Sequence, residues 1–188
     1  MLEECALPYR VHKINIGTNA EQFTADYLKI NPNGKIPSIV DADGPGGKPI
    51  ALMESGAILI YLADKTKKYM NEKNKYLVLQ WLMFQMGGVG PMFGQAHHFM
   101  RAKKDEIPYG SERYGNEAKR LYGVMDKHLA SHKYFADEYS IADMAIYPWT
   151  ARFEWHRVDI ASFKNVKRWY DEVGARPAVV KGMAVPQV

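Results

Sequence analysis

The chain has 188 residues, of which 47% are hydrophobic, with 25 basic against 21 acidic side chains, a net charge of +4 and one cysteine. This is enough chain to bury a core without disulfides or structural metals, the lone cysteine excludes an internal disulfide, and no apolar run reaches the ~18 residues of a bilayer-spanning helix. Lys65, Lys67, Lys68, Lys73 and Lys75, and then Arg101, Lys103 and Lys104, are interrupted by acids and carry no nucleic-acid motif, so they read as solvated surface.

From Tyr9 to Asn15 the residues alternate, with Val11, Lys13 and Asn15 set against His12, Ile14 and Ile16, which predicts a strand. Glu21 to Ile30 predicts a short helix and Ile36 to Asp41 a second strand. The run Asp43-Gly44-Pro45-Gly46-Gly47-Lys48 demands a turn, and Pro49 to Met53 follows as its hairpin partner. Ser55 is expected to cap a helix that is apolar nearly all round through Ala57, Ile58, Ile60, Tyr61 and Leu62, and so buried.

Beyond the polar stretch Thr66 to Lys75 the period is helical. Tyr76, Leu79, Leu82, Met83 and Met86 mark one inward face, and Leu121, Met125 and Leu129 another. Gly87-Gly88-Val89-Gly90-Pro91 opposes a continuous helix, since each glycine costs about 1 kcal/mol and the proline about 3. A kink or break with close packing is the expectation. Ser140 and Asp143 form a capping box, with Tyr139 and Met144 as its staple.

Two segments carry binding chemistry. In Asn31-Pro32-Asn33-Gly34-Lys35-Ile36-Pro37 an Asn/Gly turn delivers an extended stretch ending at proline; with a cis bond before Pro37, the N–H and C=O of Ile36 face outward, able to pair with a peptide. In Met53-Glu54-Ser55-Gly56 the Ser55 hydroxyl and free helix-start N–H groups suit a carboxylate, and Glu54 suits an ammonium. Of the six histidines, His97 and His98 point about 100° apart on a helix and cannot share an ion. His128 and His132 lie four apart at a predicted helix end without further ligands, so no metal is expected. Cys5, beside Glu3 and Glu4, lacks the cationic neighbours of a reactive thiol and reads as a packed residue.

These segments resemble the glutathione transferase superfamily, and most closely the bacterial and fungal branch that is similar to the disulfide-bond reductases and the yeast nitrogen regulator. The resemblance runs through Leu2-Glu3-Glu4-Cys5, Asn31 to Val40, Glu54 to Lys65, Leu79-Gln80-Trp81-Leu82, Gln85 to Phe99, Ile107-Pro108-Tyr109, Glu112-Arg113-Tyr114 and Ser140-Ile141-Ala142-Asp143. It implies an α/β plus all-α architecture: a thioredoxin-like unit over 1–66, then an all-helical bundle over 76–188. Glutathione is the implied co-substrate. Glu54 and Ser55 would hold its γ-glutamyl group, Ile36 before Pro37 its cysteinyl backbone, and Lys35 with Gln22 its glycyl carboxylate, with Arg113 a further candidate for that anion. The implied chemistry is transfer to an apolar electrophile or reduction of a disulfide, in a cytoplasmic homodimer with neither nucleic-acid nor membrane partners. The second substrate would meet an apolar surface around Gly90, Phe93, Trp149, Phe153 and Trp155. In the superfamily a first strand and the loop that activates the thiol precede the Leu-Glu-Glu-Cys-like helix end. The sequence begins inside that helix, so no catalytic residue is assigned, a start further upstream is expected, and a non-catalytic glutathione-binding or interaction protein stays open as the alternative.

Overall fold

The computed structural model describes residues 1–186. The chain opens on one helical turn: Cys5 N–H bonds Met1 O at 3.0 Å, Leu7 N–H bonds Leu2 O at 3.0 Å and Ala6 N–H bonds Glu3 O at 3.1 Å. Ala6 adopts a φ of 52°. This crossed pair of bonds around a left-handed residue has the pattern of a Schellman motif, formed here on a single turn over Leu2 to Ala6.

Tyr9 to Ile16 then runs as coil, contrary to the predicted strand. Alternation makes a strand only where a neighbour supplies hydrogen bonds and a face to bury. Neither is present here, and Tyr9, Val11 and Ile16 are 39%, 46% and 53% exposed. The helix expected over 21–30 is two pieces, a 3-10 turn Glu21–Phe23 and α1, Ala25–Ile30. Thr24 divides them: it is extended, and its hydroxyl accepts the Tyr27 N–H to cap α1.

β1 (Ser38–Asp41) and β2 (Ile50–Met53) form the anticipated antiparallel hairpin, with Ser38 opposite Met53 and Asp41 opposite Ile50. The connection contains Gly46 and Gly47, at φ 67° and 70°, a conformation glycine adopts freely. Helix α2 (Ser55–Thr66) follows at once. It is less buried than expected. Gly56, Ile58, Leu62 and Ala63 are covered, whereas Ala57 is exposed and Ile60 and Tyr61 are only half covered.

From Lys75 to Ala102 the chain is one right-handed rod: α3 (Lys75–Phe84), a π turn Gln85–Val89, α4 (Gly90–His97) and a second π turn His98–Ala102. The glycines and proline do not break it. Pro91 has no N–H to give, and the preceding turn widens so that the Gly90 N–H bonds Gln85 O five residues back. Close packing accounts for Gly90, where a Cβ would lie 2.8 Å from Gln85 Nε2 and 3.2 Å from Trp149 Nε1. The inward face of α3 also differs from the expectation. Val78, Trp81 and Leu82 are buried, while Tyr76 and Met83 are 82% and 51% exposed.

Helices α5 (Pro108–Leu129), α6 (Ile141–Thr150), α7 (Lys164–Gly174) and α8 (Pro177–Met183) complete the fold. Leu121, Met125 and Leu129 point into the core as their spacing requires, beside Phe93, Phe135 and Trp169. The capping box is formed, and Asp143 does more than cap: its fully buried carboxylate accepts from the Ser140 and Phe135 N–H groups and from Trp169 Nε1 at 2.8 Å. Among the described residues, no three His, Cys, Asp or Glu side chains are placed to share a metal ion, and no helix is long and apolar enough to cross a membrane. His128 and His132 stack on each other 4.1 Å apart at the end of α5, where His132 Nδ1 meets His128 O at 2.9 Å.

Candidate functional site

The loop before β1 is braced from beneath by two side chains. Asn31, almost fully buried, accepts the Asn33 N–H at 2.9 Å and donates to Lys35 O at 2.6 Å and Ser38 Oγ at 3.2 Å. The Tyr27 hydroxyl donates to the same Lys35 carbonyl at 2.7 Å. Gly34 sits at φ 61° where a Cβ would lie 2.8 Å from the Phe23 ring, so the turn needs glycine twice over. This bracing presents Ile36 and Pro37 just before β1, with the bond between them cis and Ile36 50% exposed.

The hairpin register brings the two predicted segments together. The ladder ends where Ser38 pairs with Met53, so Ile36-Pro37 and Glu54-Ser55 leave the same end of the hairpin, and Pro37 and Ser55 line one cavity. Glu54 turns the chain at φ 66° and ψ 113° into α2, and it, not Ser55, occupies the cap position. No side chain caps this helix start. Its first N–H groups are therefore open to an anion. Among the described residues the Ser55 hydroxyl meets only the Met86 sulfur, at 3.9 Å.

Behind this end lies a cavity of about 470 Å³ lined by Pro37 and Ser55, by Ile58, Leu59 and Leu62 of α2, by Gln85, Pro148 and Trp149, and by Glu3 and Tyr9 of the N-terminal segment. Most of the wall is apolar. Glu3 is held below the usual carboxylate range by Lys181 and by the Tyr9 hydroxyl, which donates to it at 2.5 Å. Gln85 is the exception: its side chain is buried and its amide oxygen has no partner among the described residues.

The other predicted site residues are less closely gathered. Lys35 is exposed beside Ile36. Gln22 turns back on its own loop, its amide nitrogen donating to Ile16 O at 3.4 Å, and its oxygen is buried without a partner among the described residues. Arg113 lies exposed on α5, a helix that packs on α4 and α7, and it does not line the cavity. Of the apolar surface expected for a second substrate, Trp149 lines the cavity. Phe93 does not, being fully buried and stacked on Tyr122 at 4.8 Å, and neither do Phe153 and Trp155.

Two family profiles match the chain, the glutathione S-transferase N-terminal domain over residues 1–65 and the C-terminal domain over residues 93–177. The disulfide-bond oxidoreductase YfcG of Escherichia coli is 44% identical across all of this chain and 88% of its own length. The chain belongs to the glutathione S-transferase family. Among other members of this family, the disulfide-bond oxidoreductase YghU of Escherichia coli is 39% identical over 94% of the chain, which spans 64% of that relative. A glutathione transferase from Pseudomonas putida, solved with one glutathione disulfide per subunit, superposes with a TM-score of 0.93 at 44% identity, over 98% of this chain and 84% of that one. The glutathione S-transferase fold is thus a small hairpin unit joined to a helical C-terminal part, as the resemblance implied.

Gln85 falls within a stretch that carries the family resemblance, yet its place in the cavity wall could not be read from the sequence. On a regular helix it falls with Val78, Trp81 and Leu82 on the buried side. A π turn begins at Gln85, a Cβ at Gly90 would lie 2.8 Å from its amide nitrogen, and its amide oxygen has no partner among the described residues.

Proposed function

We propose that the chain binds glutathione with residues 1–66 and uses it to reduce disulfides, residues 76–188 forming the helical unit that completes the site. The observation that supports this reading is that Pro37 and Ser55, from the two segments that leave the hairpin end, line one cavity at the uncapped start of α2. In this reading the Ser55 hydroxyl and the α2 N–H groups take the γ-glutamyl carboxylate, Glu54 its ammonium, and Ile36 the cysteinyl backbone. Lys35 and Gln22 face the glycyl carboxylate. Arg113 serves only if a partner subunit or the ligand's far end reaches α5.

The single cysteine decides where the electrons come from. Cys5 is 8% exposed and its thiol donates to Thr66 Oγ1 at 3.5 Å. With no second cysteine, the chain cannot cycle through an internal disulfide. In this reading two glutathione molecules supply the pair of electrons: the first thiolate attacks the substrate disulfide and releases one thiol, and the second attacks the mixed disulfide, releasing the other thiol and glutathione disulfide. Transfer to an apolar electrophile at Trp149 uses the same thiolate. A cytoplasmic homodimer suits this chemistry, since a reducing compartment maintains the thiol.

The test is glutathione-dependent reduction of a small dialkyl disulfide, followed by formation of glutathione disulfide. Turnover that survives Cys5→Ser and falls at least tenfold in Ser55→Ala is expected. Turnover abolished by Cys5→Ser would contradict the electron source, and binding without turnover would establish the non-catalytic alternative.

A further inference from the structure

Trp155, half-buried on the short helix Phe153–His156, carries three stacking partners from separate places in the chain. The guanidinium carbon of Arg101 lies 4.0 Å from its ring centroid and that of Arg152 4.1 Å. The His97 imidazole stacks on it at 4.4 Å and 30°. An indole has two faces, so at least two of these three groups share one. His97 ends α4, Arg101 lies in the π turn beyond it, and Arg152 follows α6.

Cation–π attraction holds each guanidinium to the ring, but it does nothing to relieve the repulsion between the two cations. Four other arginines have oxygen partners, Arg120 with Glu117, Arg157 with Asp105, Arg168 with Leu129 O and His132 O, and Arg176 with Glu4, while Arg10 and Arg113 stand alone on the surface with no second cation stacked beside them among the described residues. Among the described residues Arg101 and Arg152 have no ion pair and no hydrogen bond, and the nearby Asp105 is already engaged by Arg157. All the N–H donors of both guanidiniums are open. The positive potential is felt by the third member, since burial, then Arg101, Arg152 and His98, hold His97 below the ordinary imidazole range.

We infer that Arg101, Arg152, His97 and Trp155 form a binding site for a carboxylate, separate from the cavity that Pro37 and Ser55 line. A carboxylate matches the guanidinium fork with two parallel N–H···O bonds, and its charge offsets the repulsion that the fold leaves uncompensated. None of the four residues lines that cavity. The site therefore does not depend on the glutathione reading. The carboxylate is either a free small anion or the terminus of a peptide such as glutathione.

The test is amide and indole N–H NMR of the full chain, with the Trp155 indole resonance assigned through Trp155→Phe. Sodium acetate, sodium phosphate and glutathione disulfide are titrated separately, with chloride holding ionic strength constant. Acetate should move the Trp155 resonance saturably and leave the other three tryptophans in place, and Arg101→Gln and Arg152→Gln should each weaken the effect at least tenfold. Both arginines are exposed, so the unchanged remaining resonances report an intact fold. Glutathione disulfide that still moves Trp155 in Ser55→Ala identifies a peptide carboxylate bound at this site in its own right. Movement by acetate alone identifies a free anion. A shift linear in salt, equal in chloride, or unaltered in both arginine variants would overturn the site, and tighter binding of phosphate than of acetate would overturn the assigned ligand class.

Discussion

Glu4 and Arg176, 172 positions apart, meet in a two-pronged ion pair, with Arg176 Nε and Nη2 donating to the Glu4 carboxylate at 2.7 and 2.8 Å. The Tyr69 hydroxyl donates to Glu4 O at 3.0 Å, and the guanidinium lies 3.7 Å from the Tyr139 ring centroid. The Glu4 side chain is 7% exposed, so water competes little for it. This cluster fastens the first helical turn to the cap residue of α8. Arg176→Lys keeps the charge but loses the fork and the flat stacking surface. It should cost about 2 kcal/mol, and Glu4→Gln a similar amount, read as a lower urea midpoint with an unchanged m-value. Stability within error of the parent in both variants would show the pair to be idle.

Two helical glycines should respond in opposite directions to the same methyl group. At Gly123, inside α5, a Cβ meets nothing within 4 Å, so Gly123→Ala should stabilise by about 0.5–1 kcal/mol. At Gly90 the same atom would push Gln85 and Trp149 aside, and Gly90→Ala should destabilise by about 1–3 kcal/mol. Because both displaced side chains line the cavity, Gly90→Ala should also weaken ligand binding there. Thermal melting with and without glutathione checks both parts.

Two buried titrating groups oppose each other in mild acid. Burial pushes His156 down from 6.5 to about 4. The unfolded chain then takes up the proton first as pH falls, and stability drops between pH 6.5 and 4. Burial raises Asp143 from 3.8 to about 6, outweighing the Trp169, Phe135 and Ser140 donors. The folded chain takes up that proton first, so stability rises as pH falls from 6 to 3.8. Each effect is worth about 3 kcal/mol across its window, so between pH 5 and 6 they largely cancel. His156→Gln should therefore grow more stable as pH falls through this range. Asp143→Asn, which also loses about 3 kcal/mol by presenting an amide to four donors, should grow less stable. Denaturant curves at three pH values decide it, and parallel slopes in both variants would contradict the linkage.

Tyr76 and Met83, seven residues apart, expose one apolar stripe along α3. A symmetric dimer would cover it. Met83→Glu should then lower the mass in sedimentation from dimer to monomer without loss of helix. A monomer in the parent protein would rule this surface out.

Legibility in the sequence followed the range of the interactions concerned. The hairpin, the Asn31–Pro37 turn and the Ser140–Asp143 box are made by residues a few positions apart, and turn chemistry specifies them locally. Tyr9–Asn15 has the alternation of a strand, but a ladder needs a neighbour, and the segment stays coil. Tyr76 and Met83 have the spacing of a core face, yet the helix turns them outward because Val78, Trp81 and Leu82 win the contact with the bundle. The Gly87–Pro91 region, expected as a kink or break with close packing, has the packing at Gly90 but continues as helix, because single-residue propensities cannot register a π turn. Pro37 and Ser55 were legible separately as binding residues, and the hairpin between them brings both to one cavity.

Calorimetric titration of glutathione and glutathione disulfide into the chain, beside Ser55→Ala and Glu54→Gln, tests the central claim most directly. Saturable binding of both ligands is predicted, weakened about tenfold or more in each variant, equivalent to about 1.4 kcal/mol or more. No heat of binding in the folded parent protein, or equal affinity in all three proteins, would contradict the placement of the site at the start of α2.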